Sequence, residues 1–379
     1  MAERPETAEA QGSVRLRGLA KSFGAVRAVQ GVDLEVAPGS FTTLLGPSGC
    51  GKTTVLRMIA GFAEPDGGTV HVGHRDVTAV PPDRRSVGMV FQDYALFPHL
   101  SVRRNVEYGL RAHKVPAGQR AERVARVLAA LDLSELGDRY PHQLSGGQQQ
   151  RVALGRVMVL EPQVLLLDEP LSNLDAQLRL RLRGELKELQ GRLGVTAIYV
   201  THDQEEALSL SDSVVVMDRG RVQQVGTPEE VYRLPATTFV ARFVGQANLL
   251  PVTTIDRYSG AGAWVNARWS GGELRLALPR GAAPAPGTTG VAVVRPERVA
   301  LRAPSGPEHG HASAALALRG RVTASEYFGS FRRYTVAVEG QSQPWLADAP
   351  DTETGAWRPG DEVTLIVAGP PSWAASAGR

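Results

Sequence analysis

Before about residue 245 the chain alternates short apolar runs with longer segments whose apolar positions recur at helical spacing. The runs Phe41-Thr42-Thr43-Leu44-Leu45, Val87-Gly88-Met89-Val90-Phe91, Val164-Leu165-Leu166-Leu167 and Thr196-Ala197-Ile198-Tyr199-Val200 are read as strands of an α/β domain. Val164 to Leu167, apolar without interruption, fits a strand buried on both faces of a parallel sheet. Ala121 to Leu136 places Val124, Val127, Leu128 and Leu131 on one helical stripe, and Asp175 to Leu193 does the same with Leu178, Leu182, Leu186, Leu189 and Leu193. Both stripes are read as core-facing surfaces with no chemistry in them. After residue 245 the pattern changes to Gly- and Pro-rich turns and short alternating segments, such as Leu274-Arg275-Leu276-Ala277-Leu278 and Tyr334-Thr335-Val336-Ala337-Val338. That alternation predicts a small all-β unit. The tryptophans (Trp264, Trp269, Trp345, Trp357, Trp373) all lie beyond this boundary and the lysines (Lys21, Lys52, Lys114, Lys187) all before it. The expected organisation is a flexible tail over 1–12, an α/β domain over 13–245 and a β domain over 246–379.

Composition narrows the class of protein. A length of 379 residues suits two or three compact units. No apolar run approaches the roughly 18 residues needed to span a bilayer, and the polar, acidic stretch Met1 to Gly12 does not resemble a secretory signal. The formal charge is +3, and the pI of about 9.1 is an arginine effect. Arginine blocks without interleaved aromatics read as solvated surface, so no nucleic-acid partner is expected. Cys50 is the only cysteine, which excludes an intrachain disulfide and fits a reducing compartment.

Candidate chemistry begins after the first apolar run. Gly46-Pro47-Ser48-Gly49-Cys50-Gly51-Lys52-Thr53-Thr54, followed by the helical Val55 to Ala60, is a phosphate-binding loop with the strand before and helix after that it requires. Glycines turn backbone N–H groups toward an anion, and the helix N-terminus adds partial positive charge. Lys52 is placed to reach phosphate and Thr53 to ligate Mg²⁺. Cys50 is expected to be a small packing residue, though an alkylation-sensitive one. Val164 to Leu167 ends in Asp168-Glu169-Pro170. Adjacent acids at the end of a buried strand require a cation or substrate to offset desolvation, so Asp168 is assigned to the metal shell and Glu169 to the attacking water. Thr196 to Val200 runs into Thr201-His202-Asp203, and Glu206 follows at capping-box spacing. His202 therefore sits at a strand's carboxyl edge, where ligands gather, and is expected to contact the γ-phosphate. Gln92 occupies a comparable edge and is a candidate for metal or water.

Leu144-Ser145-Gly146-Gly147-Gln148 precedes another helix and is read as a second anion site. A chain with two phosphate-binding loops but one metal site is economically explained by a head-to-tail pair, each copy closing the other's ATP.

In order along the chain, these segments closely resemble the ATP-binding cassette family over about residues 13–245. Gly46 to Thr54, Gln92, Leu144 to Gln148, Val164 to Glu169, Ser172-Asn173-Leu174-Asp175 and His202 correspond to the Walker A loop, Q-loop, LSGGQ segment, Walker B strand, D-loop and switch histidine. Phe23 matches the aromatic that stacks on adenine. The resemblance implies a P-loop ATPase core with a helical subdomain inserted at about 93–160, and ATP and Mg²⁺ as cofactors. It also implies a homodimer working with two integral-membrane permease subunits and, indirectly, an extracytoplasmic substrate-binding protein, at the cytoplasmic face of the cell membrane. The C-terminal region resembles the OB-like TOBE domain of importer ATPases, on the cues Val294-Arg295-Pro296-Glu297-Arg298 and Glu326-Tyr327-Phe328-Gly329-Ser330. Arg103 and Arg104 depart from the family's usual small residue and acid. The aromatic stretch Asp93 to Leu100 is expected to form an exposed face toward the membrane subunits, with a packed hinge as the alternative. Thr201 to Leu208 with Leu210-Ser211-Asp212 is most similar to the polyamine and ferric-iron importer branch. Sugar and aminoethylphosphonate uptake are the alternatives. A non-transport ATPase of this family generally carries paired cassettes or long coiled-coil insertions, and this chain shows neither. A metabolite phosphotransferase leaves the Ser145 half-site unexplained.

Overall fold

The computed structural model describes residues 12–172, 176–257, 263–304, 314–351 and 356–376. The chain divides into two compact units between Pro228 and Glu229. The first contains β1 (Val14–Phe23), β2 (Val26–Val36), β3 (Phe41–Leu45), α1 (Lys52–Ala60), β4 (Gly67–Val72), β5 (Arg75–Asp76), β6 (Val87–Val90), α2 (Val102–Ala112), α3 (Ala117–Ala130), α4 (Gly146–Met158), β7 (Val164–Asp168), α5 (Ala176–Leu193), β8 (Thr196–Thr201), α6 (Gln204–Leu210), β9 (Ser213–Asp218) and β10 (Arg221–Gly226). An antiparallel sheet runs β2-β1-β4-β5, and a six-stranded sheet runs β10-β9-β3-β8-β7-β6. In the larger sheet β9, β3, β8, β7 and β6 are parallel, and β10 is an antiparallel edge.

The strands β3, β7 and β8 are buried along their whole length, as apolar runs covered on both faces require. The pleat sorts their side chains. Leu44, Leu166, Ile198 and Val200 join a core with α1 and the antiparallel sheet. Phe41, Leu165, Leu167 and Tyr199 face a second core with residues of α2, α3, α4 and α5. The helical stripes behave accordingly: Val124, Leu128, Leu131, Leu182, Leu186 and Leu189 are buried, with Val127 packed against the second core. Leu193 departs from the expectation. It is the last residue of α5 and is 39% exposed. The side chain of Leu178 lies outside the described residues.

The second unit holds α7 (Pro228–Arg233), α8 (Thr238–Phe243), β11 (Asn248–Arg257), β12 (Trp264–Trp269), β13 (Gly272–Ala277), β14 (Thr289–Val294), β15 (Val299–Arg302), β16 (Ala314–Tyr327), β17 (Phe331–Val338), β18 (Trp345–Pro350), β19 (Glu362–Ala368) and β20 (Ser372–Ala375). A closed barrel, β11-β12-β13-β20-β14, adjoins a five-stranded sheet, β15-β19-β16-β17-β18. The alternating segments land as their pattern predicts. Leu274 and Leu276 of β13, and Tyr334, Val336 and Val338 of β17, point inward.

The division falls at the start of α7 rather than near residue 245, where composition changes. The cause is Arg295, which is only 4% exposed. Its guanidinium donates to the carbonyl oxygens of Tyr232 (2.7 Å), Ala241 (2.8 Å) and Gln246 (2.8 Å) and lies over the Tyr232 ring at 4.2 Å. α7, α8 and the chain after them are thus held by the β unit. Arg295→Met should destabilise this unit by about 3 kcal/mol, because buried carbonyls lose a charged donor. Urea unfolding followed by tryptophan fluorescence isolates the effect, since every tryptophan lies between residues 264 and 373.

Candidate active site

Parallel pairing gathers the site. Leu45 of β3 is level with Thr201 of β8, Asp168 of β7 with Val200, and Val90 of β6 with Leu167. The residues that follow these strand ends, Gly46, His202, Glu169 and Gln92, therefore emerge along one carboxyl edge, the ligand edge of open α/β sheets.

The phosphate loop connects β3 to α1. Gly46 is required by space: a Cβ there would lie 2.4 Å from the Met217 carbonyl oxygen and 2.6 Å from the Cys50 sulfur. Gly51, with φ of 105°, caps α1 in a left-handed conformation, and a Cβ would lie 2.4 Å from the Ala28 carbonyl oxygen. Pro47 is half-buried, while Ser48 and Gly49 are exposed. Lys52 is only 5% exposed. Its ammonium donates to the carbonyls of Gly46 (2.7 Å) and Pro47 (3.0 Å) and lies 3.9 Å from the Cys50 sulfur. None of these partners carries a full negative charge, which suits a cation reserved for an anionic ligand. Thr54 follows in the first turn of α1.

Thr53 donates its hydroxyl to Asp168 Oδ1 at 3.1 Å. Burial is the leading influence on Asp168 and pushes its carboxyl above the usual range; the Thr53 hydrogen bond and Arg57 oppose the shift, and Glu169 adds to it. A hydroxyl and a desolvated carboxylate side by side form the oxygen donor set that a hard divalent cation takes. These residues fit Mg²⁺.

Glu169 occupies the left-handed region at φ 45°, a conformation disfavoured by about 1–3 kcal/mol for a residue with a Cβ. The turn is held by Glu169 N–H donating to the Val200 carbonyl (3.1 Å) and by the Ser172 hydroxyl donating to the Glu169 carbonyl (2.9 Å). Gln92 Nε2 donates in turn to Ser172 Oγ (3.1 Å). Glu169 Oε1 and His202 Nδ1 are 3.2 Å apart. The structure thus brings Lys52, Thr53, Asp168, Glu169, His202 and Gln92 together. Ser172, which the sequence offered only as part of the D-loop segment, is the link between Gln92 and Glu169.

The remaining candidates stand elsewhere or play altered parts. Ser145 caps α4. Its hydroxyl accepts from Gln148 N–H (3.4 Å), and Gln148 Oε1 accepts from Ser145 N–H (3.0 Å). Gln148 therefore shapes the helix start that Ser145, Gly146 and Gly147 present. Among the described residues no hydrogen bond joins 144–148 to 46–54. The Phe23 ring, at the end of β1, is 55% exposed beneath Lys21. Asp175 lies outside the described residues.

Expectations at two further places are corrected. Asp203 caps α6 by accepting from Glu206 N–H, but Glu206 does not return the bond; its carboxylate turns inward to Tyr199 and Thr201. The aromatic stretch after Gln92 is only partly exposed: Asp93, Ala95, Pro98 and His99 face solvent, while the Tyr94 and Phe97 rings are packed. Tyr94 is buried and donates to the Pro170 carbonyl (2.9 Å). Phe97 packs between Tyr108 and Arg156. Buried Asn105 clamps the backbone at both Phe97 and Leu100. Arg103 and Arg104 are exposed in the first turn of α2.

Cys50 is buried within the loop. Burial pushes its thiol up, and the nearby Lys52 only partly opposes this. Since the thiolate is the nucleophile, iodoacetamide labelling should be slow at neutral pH and still be rising as pH passes through the ordinary thiol range. ATP should protect. Mass spectrometry of the Cys50 peptide checks both.

Comparison with known proteins agrees with this geometry. Residues 29–172 match the ABC transporter family model and residues 292–369 the TOBE domain model. The chain is 46% identical over 93% of its length, and 77% of the relative's, to the spermidine/putrescine import ATP-binding protein PotA of Frankia alni. It is 47% identical over 87% of its length, and 89% of the relative's, to an Fe(3+) ions import ATP-binding protein of Rhizobium meliloti. Among solved structures, an ATP-binding cassette in a dimeric post-hydrolysis state with ADP and Pi superposes with a TM-score of 0.50 at 30% identity, covering 57% of this chain and 98% of that one. With the phosphate loop, the paired acids and the edge histidine in one place, the chain belongs to the ABC transporter family as an import ATP-binding subunit that hydrolyses ATP and carries a TOBE domain.

Proposed function

We propose that the chain powers uptake of a polyamine or ferric iron as a head-to-tail homodimer with two shared ATP sites, docked on two membrane permease subunits. The observation carrying the reading is the inequality of the two helix N-termini. Both α1 and α4 open with polar and glycine residues, but among the described residues the start of α1 is bonded to a carboxylate, Asp168 on Thr53, whereas Ser145 and Gln148 at the start of α4 bond each other. Ser145 is exposed at the start of α4. A second copy supplying Ser145, Gly146 and Gly147 to the ATP held by Lys52 and Thr53 uses both surfaces. That the similar cassette with ADP and Pi is dimeric supports pairing of two copies.

The chain's own groups then divide the reaction. Lys52 exchanges its carbonyl partners for phosphate oxygens, and the loop amides hold the rest of the polyphosphate. Thr53 and Asp168 would hold Mg²⁺, which would supply neutralisation of phosphate charge. Glu169 orients and polarises water toward the γ-phosphorus. His202, with Nδ1 on Glu169, directs Nε2 to the γ-phosphate. Gln92, through Ser172, fixes the backbone on which Glu169 sits. Phe23 stacks on adenine, and Asp175 of the D-loop segment joins the nucleotide site.

Permease docking is supported by a cleft of about 490 Å³ beside β6, α2 and α4, lined by Met89, Phe91, Tyr108, Val157 and Leu160. Tyr108 and Leu160 remain 48% and 40% exposed there. Cargo rests on the named relatives, which import spermidine/putrescine and Fe(3+); sugar and aminoethylphosphonate are the alternatives.

Glu169→Gln should leave ATP binding intact, lower turnover by about 100-fold or more, and accumulate an ATP-bound dimer in size-exclusion chromatography. Retained turnover would move the water-positioning role elsewhere. Ser145→Arg should preserve nucleotide affinity of the single chain while abolishing cooperative hydrolysis. An equal loss of monomer affinity in fluorescent-nucleotide titrations would refute the shared site.

A further inference from the structure

Behind His202 lies a buried ionic cluster that neither ATP nor metal binding requires. Glu206 is 3% exposed. Its Oε2 accepts from the Tyr199 hydroxyl (2.7 Å) and the Thr201 hydroxyl (2.7 Å). Thr201 Oγ1 also accepts from Asp203 N–H at 2.9 Å. Glu206 is thereby bonded, directly or through one hydroxyl, to the residues immediately before and after His202. On the other side, Arg183 of α5 is 8% exposed and reaches Asp203 Oδ2 (3.2 Å), Glu205 (3.3 Å) and Glu206 Oε1 (4.0 Å). Arg179, one turn earlier on α5, lies 3.7 Å from Asp203 and 3.9 Å from Glu206. Burial, with Glu206 adding to it, pushes the Tyr199 phenol well above its ordinary range, so it remains a donor.

A carboxylate this deep is tolerated only when its charge and lone pairs are matched. An apolar residue with an ordinary helix cap would hold α6 without these groups. Their common product is a fixed turn at Thr201-His202-Asp203. His202 itself is 56% exposed at its side chain and touches Glu169 through Nδ1, and among the described residues its ring has no other hydrogen-bond or ion-pair partner. We infer that Glu206 is a positioning residue for hydrolysis, holding the His202 turn against Glu169, and that Arg183 ties this turn to α5. Because α5 starts at Ala176, directly after the D-loop segment, movement of α5 reaches His202 through Arg183 and Glu206. The inference rests on His202 and Glu169 being the hydrolytic pair proposed above.

The test is a double-mutant cycle on the full chain. Glu206→Gln keeps the shape and removes the charge. We expect kcat to fall by about 10-fold with KM for ATP changed by less than about 2-fold, the pattern of an interaction felt in the transition state. In a His202→Ala background, the same substitution should change the residual single-turnover rate by less than about 2-fold, since a positioning residue has nothing left to position. Tyr199→Phe, which removes one hydroxyl from the cluster, should lower kcat by about 3-fold and show the same non-additivity; it carries the test if Glu206→Gln does not fold. Equal fold-losses in both backgrounds, or a loss confined to KM, would overturn the inference by assigning Glu206 a purely structural or binding role. Wild-type turnover by His202→Ala alone would overturn its premise, and that result is distinguishable because it appears before Glu206 is altered.

Discussion

The contact between Thr53 and Asp168 is the constraint around which the catalytic unit is arranged. A carboxylate at 8% exposure is costly to hold ionised, and burial pushes its carboxyl up. Thr53, Arg57 and Lys52 act in the opposite direction. Three of these groups lie on α1 or at its first residue, so the charge balance of β7 depends on where α1 begins. That position is set by the loop, whose Gly46 and Gly51 pass backbone atoms too closely for any Cβ. Loop geometry, helix start and buried carboxylate are one problem with one solution.

Strain follows from the same arrangement. Asp168 ends a fully buried strand, and the next residue must turn its carboxylate back over the edge to face His202. Glu169 does so in a left-handed backbone conformation that its neighbours hold, through Val200 on one side and Ser172 on the other. Local strain at a reactive carboxylate is stable only when several surrounding bonds determine it. His202 is exposed and would be loose on its own; the Glu206 cluster beneath it supplies comparable restraint from the core side.

The second unit uses buried charge for a different end. Arg295 replaces regular backbone pairing with a single guanidinium that serves three carbonyls of the segment leading into the barrel. Burial pulls its pKa down, yet an arginine stays ionised under such conditions. The result is a lead-in segment that folds with the barrel it precedes, although its composition matches the α/β part.

Much of this was legible in the residues alone. Short apolar runs leading into Gly46, Asp168 and Thr201 identified strands of a parallel sheet, and the uninterrupted Val164 to Leu167 marked one buried on both faces, because side chains there must avoid water. The loop glycines, Lys52 and Thr53 followed from spacing between a strand and a helix. Alternation in β13 and β17 marked half-buried strands. Other features depend on which partners the fold turns toward a side chain, which local spacing does not encode. Glu206 looked like the second half of a helix cap because the local pattern permits it, and Tyr199, Thr201 and the α5 arginines together pull it inward. The aromatic stretch after Gln92 reads as an exposed loop, yet Pro170 takes the Tyr94 hydroxyl and Tyr108 and Arg156 cover Phe97, leaving Pro98 and His99 in solvent. Local sequence determines which backbone conformations are available, while the destination of a buried charge is decided by whatever the tertiary fold places opposite it.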